Sequence, residues 1–256
     1  MHPNRPNNNW IAPAQWLAVI SMTADHAARY LQPGLTDYFW LATTLGRLAF
    51  PLFAALVAWH ALFNSRHLGR YTFRILLIGL IAQPGYAWML QEPLSSALLN
   101  VCFTLAAGLA LTGLLKQALV LQATRRDFFA SLYFVLGLVL ALLAAWLVAP
   151  WVDYGLVGIL LVPALACSFY LLQSAPVTGP PRLAGLGWLL PGFLMVGLNP
   201  LGLPTWSSYA ALLLIALLIR FSPALRGWPL RFPRPLWLSW YPLHLLVIAA
   251  AAQWVV

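Results

Sequence analysis

The chain has 256 residues, of which 62% are hydrophobic and 7% charged, with a mean hydropathy of +0.82 and a formal net charge of +9. Its apolar runs reach the ~20 residues needed to cross a hydrocarbon core, which excludes a soluble globular domain, and they are continuous rather than alternating, which argues against a β-barrel. The basic residues are scattered at the ends of these runs, a pattern of membrane topology and not of nucleic-acid binding.

In chain order, a polar stretch Met1–Asn9 precedes a first apolar segment, Trp10–Leu31, which carries Asp25 and no cleavage site and so reads as a retained helix rather than a signal peptide. Further spans follow at Tyr38–Phe63, Tyr71–Leu90, Ala97–Val120, Phe128–Ala149, Gly155–Gln173, Leu183–Asn199, Trp206–Phe221 and Pro235–Val256. The expected fold is therefore all-α: one domain, residues 1–256, built as a polytopic transmembrane bundle of about nine helices. The seventh span is short and rich in Gly and Pro, and an eight-span version without it remains open. Cys102 and Cys167 fall within spans and read as small apolar packing groups; no disulfide framework is implied.

Charges alternate between the connections. Arg66, His67, Arg70 and Arg74 lie in the second; Lys116, Arg125 and Arg126 in the fourth; Arg182 in the sixth; Arg220, Arg226, Arg231 and Arg234 in the eighth. The intervening connections hold Asp37, Glu92 and Asp153, with Arg29 the only nearby base. The positive-inside rule makes the even connections, and the N-terminus, cytoplasmic. Asp25 and His26 then lie near the outer end of the first helix, and Arg47 lies ~13 Å below the outer end of the second. The short connection around Gln32–Asp37 makes these helices antiparallel neighbours.

Ionisable groups at membrane depth are costly and mark functional sites. Asp25 and Arg29 are four apart and share a face, while His26 points about 100° away from Asp25. Two arrangements are open: Asp25 pairs with Arg47 while His26 faces a cavity, or the carboxylate holds another imidazole. The bland alternative is an Asp25–Arg47 pair that only holds helices together. Pro51 lacks the N–H that would bond the Arg47 carbonyl, and Pro242 does the same to Leu238, two residues before His244. His60 suits an interfacial position. The Arg66–Arg74 loop is either a topology determinant or an electrostatic funnel for an anionic cytoplasmic ligand. Asn100 and Thr104, one turn apart, suit interhelical hydrogen bonds, and Asp153 can cap the sixth helix. No metal-ligand spacing, phosphate-binding glycine loop or nucleophile elbow is present, so a histidine-based acid–base mechanism is the simplest chemistry available.

Several blocks, in order, resemble the TraX family of pilin acetylases. These are Asp25-His26, Gly46-Arg47-Leu48-Ala49-Phe50-Pro51-Leu52-Phe53, Leu99-Asn100-Val101-Cys102-Phe103-Thr104-Leu105, Asp153-Tyr154-Gly155-Leu156-Val157-Gly158 and Tyr241-Pro242-Leu243-His244. The region from Ser174 to Pro235 carries little of the resemblance. Gln15 and Trp16 depart from it, standing where members more often carry a basic residue. The resemblance implies an integral inner-membrane acyltransferase that acetylates the N-terminal amine of a conjugative pilin precursor. Acetyl-CoA would be the acyl donor, with no metal. It further implies catalytic roles for Asp25, His26, Arg47 and His244, and substrate contacts from Asn100, Asp153 and Tyr241. Arg66, Arg70 and Arg74 are expected to hold the donor's phosphates. A transporter or lipid flippase, and a noncatalytic pilin-assembly subunit, are the rival expectations; no internal repeat supports the first.

Overall fold

The computed structural model describes residues 6–31, 39–124, 128–174 and 185–255. Asp37, Arg125, Arg126 and Arg182, which contribute to the charge pattern, lie outside the described residues, as does the 32–38 connection. Among the described residues ten α-helices account for the bundle, and the only β-type pairing is an isolated bridge between Leu99 and Val152.

The first expected span is helix α1 (Ile11–Tyr30). The second is not one helix. It comprises α2 (Phe39–Thr43), a 3₁₀ turn (Leu45–Leu48), α3 (Ala49–Trp59) and a closing π turn (His60–Asn64). The break falls before Arg47 rather than at Pro51. Pro51 is the third residue of α3, where its missing N–H would have had no intrahelical partner in any case. Seven further helices follow: α4 (Leu68–Leu90), α5 (Val101–Thr124), α6 (Phe128–Val148), α7 (Gly155–Ser174), α8 (Leu189–Leu198), α9 (Leu203–Arg220) and α10 (Arg234–Val255). Among the described residues six segments are long and apolar enough to cross a membrane. The other three of the nine deviate for separate reasons: α1 is diluted by polar residues, the apolar part of α5 is shorter, and α8 has only ten residues. The seventh segment thus exists as a short helix of ~15 Å, about half a hydrocarbon core.

Helix α3 occupies the centre. All its residues except Phe53 are buried, and Ala49, Ala54, Ala55 and Ala58 let α1, α7 and α9 approach its backbone closely. Helices α4 and α10 pack extensively on each other, and α10 also reaches α1. This closes the last helix against the first. At the end of the bundle where α1 begins, Trp10, Trp59 and Phe169 form an aromatic plug, with Trp10 and Trp59 edge to face at 5.2 Å. Asn8 ties the N-terminal segment to it by accepting from Trp59 Nε1 at 2.7 Å and donating to Asn64 Oδ1 at 3.2 Å.

At the opposite end the Leu99–Val152 bridge joins two connections: Leu99 N donates to Trp151 O, and Asp153 N to Leu99 O, both at 2.9 Å. Tyr154 then turns through φ +62° and Gly155 through φ +53°. A tyrosine pays strain in that conformation, and stacking on Phe50, with ring centroids 4.1 Å apart, holds it there. Cys102 is buried as expected, but Cys167 is exposed on the bundle's outer face, so it is not a packing group.

Candidate functional site

Asp25 sits five residues before the end of α1 and accepts two cations on one oxygen. Arg29 Nε donates to Oδ1 at 3.0 Å from one turn along the helix, and Arg47 Nη2 at 2.9 Å from the 3₁₀ turn. Gly46 makes the second contact feasible, because a Cβ there would lie 2.6 Å from the Asp25 Cβ and Oδ1. The break in the second segment frees the Ala42 carbonyl, which takes Arg47 Nε at 2.9 Å. Arg47 Nη1 donates to Asn199 Oδ1 at 3.0 Å. Three of the five guanidinium hydrogens are thus committed, the side chain is only 11% exposed, and two N–H groups remain available in a fixed orientation.

His26, the next residue along α1, bonds His244 instead. His26 Nδ1 and His244 Nε2 are 2.8 Å apart, and the ring planes differ by 4° at a centroid separation of 5.1 Å, so the bond lies in the plane of both rings. The tautomers follow from the next partner. His244 Nδ1 is 2.8 Å from the Trp240 carbonyl, which can only accept, so Nδ1 carries the hydrogen. His244 Nε2 of the neutral ring is then an acceptor, and His26 Nδ1–H must donate to it. That leaves His26 Nε2 with an uncommitted lone pair. Trp240 is itself anchored, its Nε1 donating to Thr23 Oγ1 at 3.0 Å across to α1. Of the two arrangements open in the sequence, the first therefore holds for Asp25 and Arg47, and the second fails because the imidazole finds another imidazole and not the carboxylate.

Asp153 lies in the electrostatic field of Asp25 and Arg29, and burial holds its carboxyl above the usual carboxylate range, at about 6. Its Oδ1 accepts from Tyr154 N, and its carbonyl accepts from Thr104 Oγ1 at 2.5 Å. Asn100 makes the interhelical hydrogen bonds that its position suited. It is fully buried, its amide hydrogens go to Gly79 O and Gln83 Oε1, and its Oδ1 caps Cys102 N at the start of α5. The side chain is committed to the α4–α5 junction.

Toward the end of the bundle where α1 begins, a cavity of about 520 Å³ opens beneath this centre. Its mouth carries Arg66, His67, Arg70 and Arg74, joined by Arg234 from α10, while its inner wall is apolar and includes Met22, Phe53, Cys102 and Tyr241. Met22 is one turn before His26, and Tyr241 is three residues before His244, with their rings 5.5 Å apart. The cavity therefore ends about one helical turn from the histidine pair. His60 faces it from the π turn, and Gln15 lines it from α1, so the start of the first helix contributes without a charge. Arg234, Asn199 and the bond between His26 and His244 were not expected from the sequence. Asn199 sits in a stretch without motifs, though a lone Asn followed by Pro at the end of an apolar run was a visible signal. Among the described residues no group of His, Cys, Asp or Glu is arranged to hold a metal ion.

Fold and centre together define a polytopic helical membrane protein that encloses a fixed Asp–Arg pair beside a hydrogen-bonded histidine pair. The family model described as TraX protein matches residues 12–251, and the chain belongs to the TraX family. It is also 32% identical over 185 residues, 68% of each chain, to the "Probable fimbrial assembly protein FimC, serogroup H1" of Dichelobacter nodosus. No solved structure matches it.

Proposed function

We propose that this protein is a membrane acyltransferase that acetylates the N-terminal amine of a pilin-type subunit, with acetyl-CoA as donor. The observation that carries the proposal is the uncommitted Nε2 of His26, held by His244, on the residue next to Asp25, whose carboxylate fixes a guanidinium with two free N–H groups. An α-amine has a pKa near 7.7–8.0, so most of it is protonated at neutral pH and cannot attack a thioester. His26 Nε2 removes that proton as the amine attacks, a step worth ~10²–10⁴-fold. His244, fixed by the Trp240 carbonyl, accepts the His26 Nδ1 hydrogen bond and stabilises the imidazolium that forms. Arg47 donates to the oxyanion of the tetrahedral intermediate, and Asp25 keeps the guanidinium oriented; collapse of the intermediate breaks the C–S bond, and the CoA thiolate leaves with the proton that His26 had taken. The basic mouth suits the donor's phosphates and the apolar inner wall its uncharged arm, so the thioester approaches the histidines from the cytoplasm. An acceptor cleaved at the outer face presents its amine from the side of Asp25, Arg29 and Asp153. An inner-membrane location follows from this use of a cytoplasmic donor.

The likeness to a probable fimbrial assembly protein of Dichelobacter nodosus favours a second reading, in which the protein assists pilus assembly without chemistry. Intact-mass measurement of pilin from cells with and without the protein separates them. A shift of one acetyl group that depends on the protein is the expected result; pilin of unchanged mass with lost assembly overturns the acyltransferase.

A further inference from the structure

The corner between α8 and α9 reaches into the centre with Asn199 alone. This residue is 9% exposed, and its amide orientation is fixed by a directed chain of hydrogen bonds. Ser208, fully buried on α9, spends its hydroxyl hydrogen on the Pro204 carbonyl at 3.1 Å, so its oxygen must accept. Asn199 Nδ2 donates to that oxygen at 2.7 Å, which turns Oδ1 toward Arg47 Nη1 at 3.0 Å. The corner is itself closed by Thr205, whose hydroxyl donates to Pro200 O at 2.8 Å.

The chemistry of that acceptor matters. Arg47 shares one carboxylate oxygen with Arg29, so its positive charge is only partly balanced. A carboxylate at position 199 would complete the balance and weaken any attraction for a developing oxyanion; an amide oxygen of the same shape fixes the guanidinium and leaves its charge in place. We infer that Asn199, oriented by Ser208, is a positioning residue that holds Arg47 rigid without neutralising it. The inference rests on the acyl-transfer role proposed for Arg47.

The test compares Asn199→Asp, Asn199→Ala, Ser208→Ala and Arg47→Ala in purified protein, following acetyl transfer from acetyl-CoA to a synthetic pilin N-terminal peptide, with thermal unfolding of each variant. Asn199→Asp retains an acceptor for Arg47 and is expected to unfold near the wild-type temperature. Its kcat should fall about tenfold or more, with both KM values within about twofold, the signature of an interaction made in the transition state. Asn199→Ala should lose kcat and stability together, and Ser208→Ala, which lets the amide rotate, should lose less of each. Wild-type kcat in Asn199→Asp beside an inactive Arg47→Ala overturns the positioning role and leaves the oxyanion role intact. Wild-type kcat in Arg47→Ala overturns both.

Discussion

Two segments of the bundle invert the usual relation between apolarity and burial. Ser131–Trp151, which includes most of α6, is the most apolar of the candidate spans, yet only 11% of it is buried inside the protein; Phe39–Asn64, less apolar and interrupted twice, is 61% buried. In lipid the most apolar surface needs no protein cover, because hydrocarbon tails are as apolar as leucine. Burial is reserved for small residues, for a broken backbone and for charges, all of which lipid cannot accommodate. The interior is therefore where this protein keeps its polar chemistry, and the outside is where it keeps its leucines.

The largest effects should come from breaking the buried segment at its charges. His26→Ala removes the proposed base but leaves Asp25 and Arg47 paired, so acetyl transfer should fall by ~10²–10⁴-fold while the folded fraction in the membrane stays near wild type. Arg47→Ala should lose both, because Asp25 and the Ala42 carbonyl each lose a donor. Acetylated-pilin fractions normalised to folded protein measure the difference. Full acetylation by His26→Ala rejects the assignment of the base.

Next comes packing within the same segment. Gly46→Ala places a methyl against the Asp25 carboxylate and should destabilise by about 1–3 kcal/mol, and Leu52→Ala, at a fully buried position, by about 2–5 kcal/mol. Only Gly46→Ala should also depress turnover per folded molecule. Equal turnover for the two would detach Gly46 from the site.

Smaller again is the expected effect at the cavity mouth. Replacing Arg66, Arg70 and Arg74 by Gln should raise the apparent KM for acetyl-CoA about tenfold with little change in kcat, and should flatten its dependence on salt. An unchanged KM in correctly inserted protein reduces these arginines to topology. The smallest effect sharpens the contrast from the lipid side: Leu140→Ala on α6, where the side chain is 66% exposed, should change stability by less than about 0.5 kcal/mol. A loss as large as that of Leu52→Ala would mean that α6 packs against protein.

The helical class and the apolar segments were legible because lipid imposes them on composition. So was the pairing of Asp25 with Arg47, since both are ionisable groups near one end of adjacent helices. Less legible was the break at Thr44: Pro51 pointed to the right neighbourhood, but the interruption is set by Arg47, which takes a carbonyl with its own side chain. The interhelical hydrogen bonds of Asn100 were legible too, although a buried amide in a recognisable motif looks the same whether it serves substrate or structure. Its neighbour Gln83, which supplies two of its bonds, sits in another helix without any pattern to announce it. The pairing of His26 with His244 spans 218 residues, and no periodicity reaches that far.

That last separation governs when the centre can be assembled. During synthesis α1 enters the membrane with His26 Nδ1–H lacking its acceptor, and it waits in that condition until the final helix is inserted and docked on α4. A polypeptide interrupted between α9 and α10 retains Asp25, Arg47 and Asn199 yet lacks the partner of His26. The histidine pair is in this sense a record of assembly: where it has formed, α1 and α10 have met.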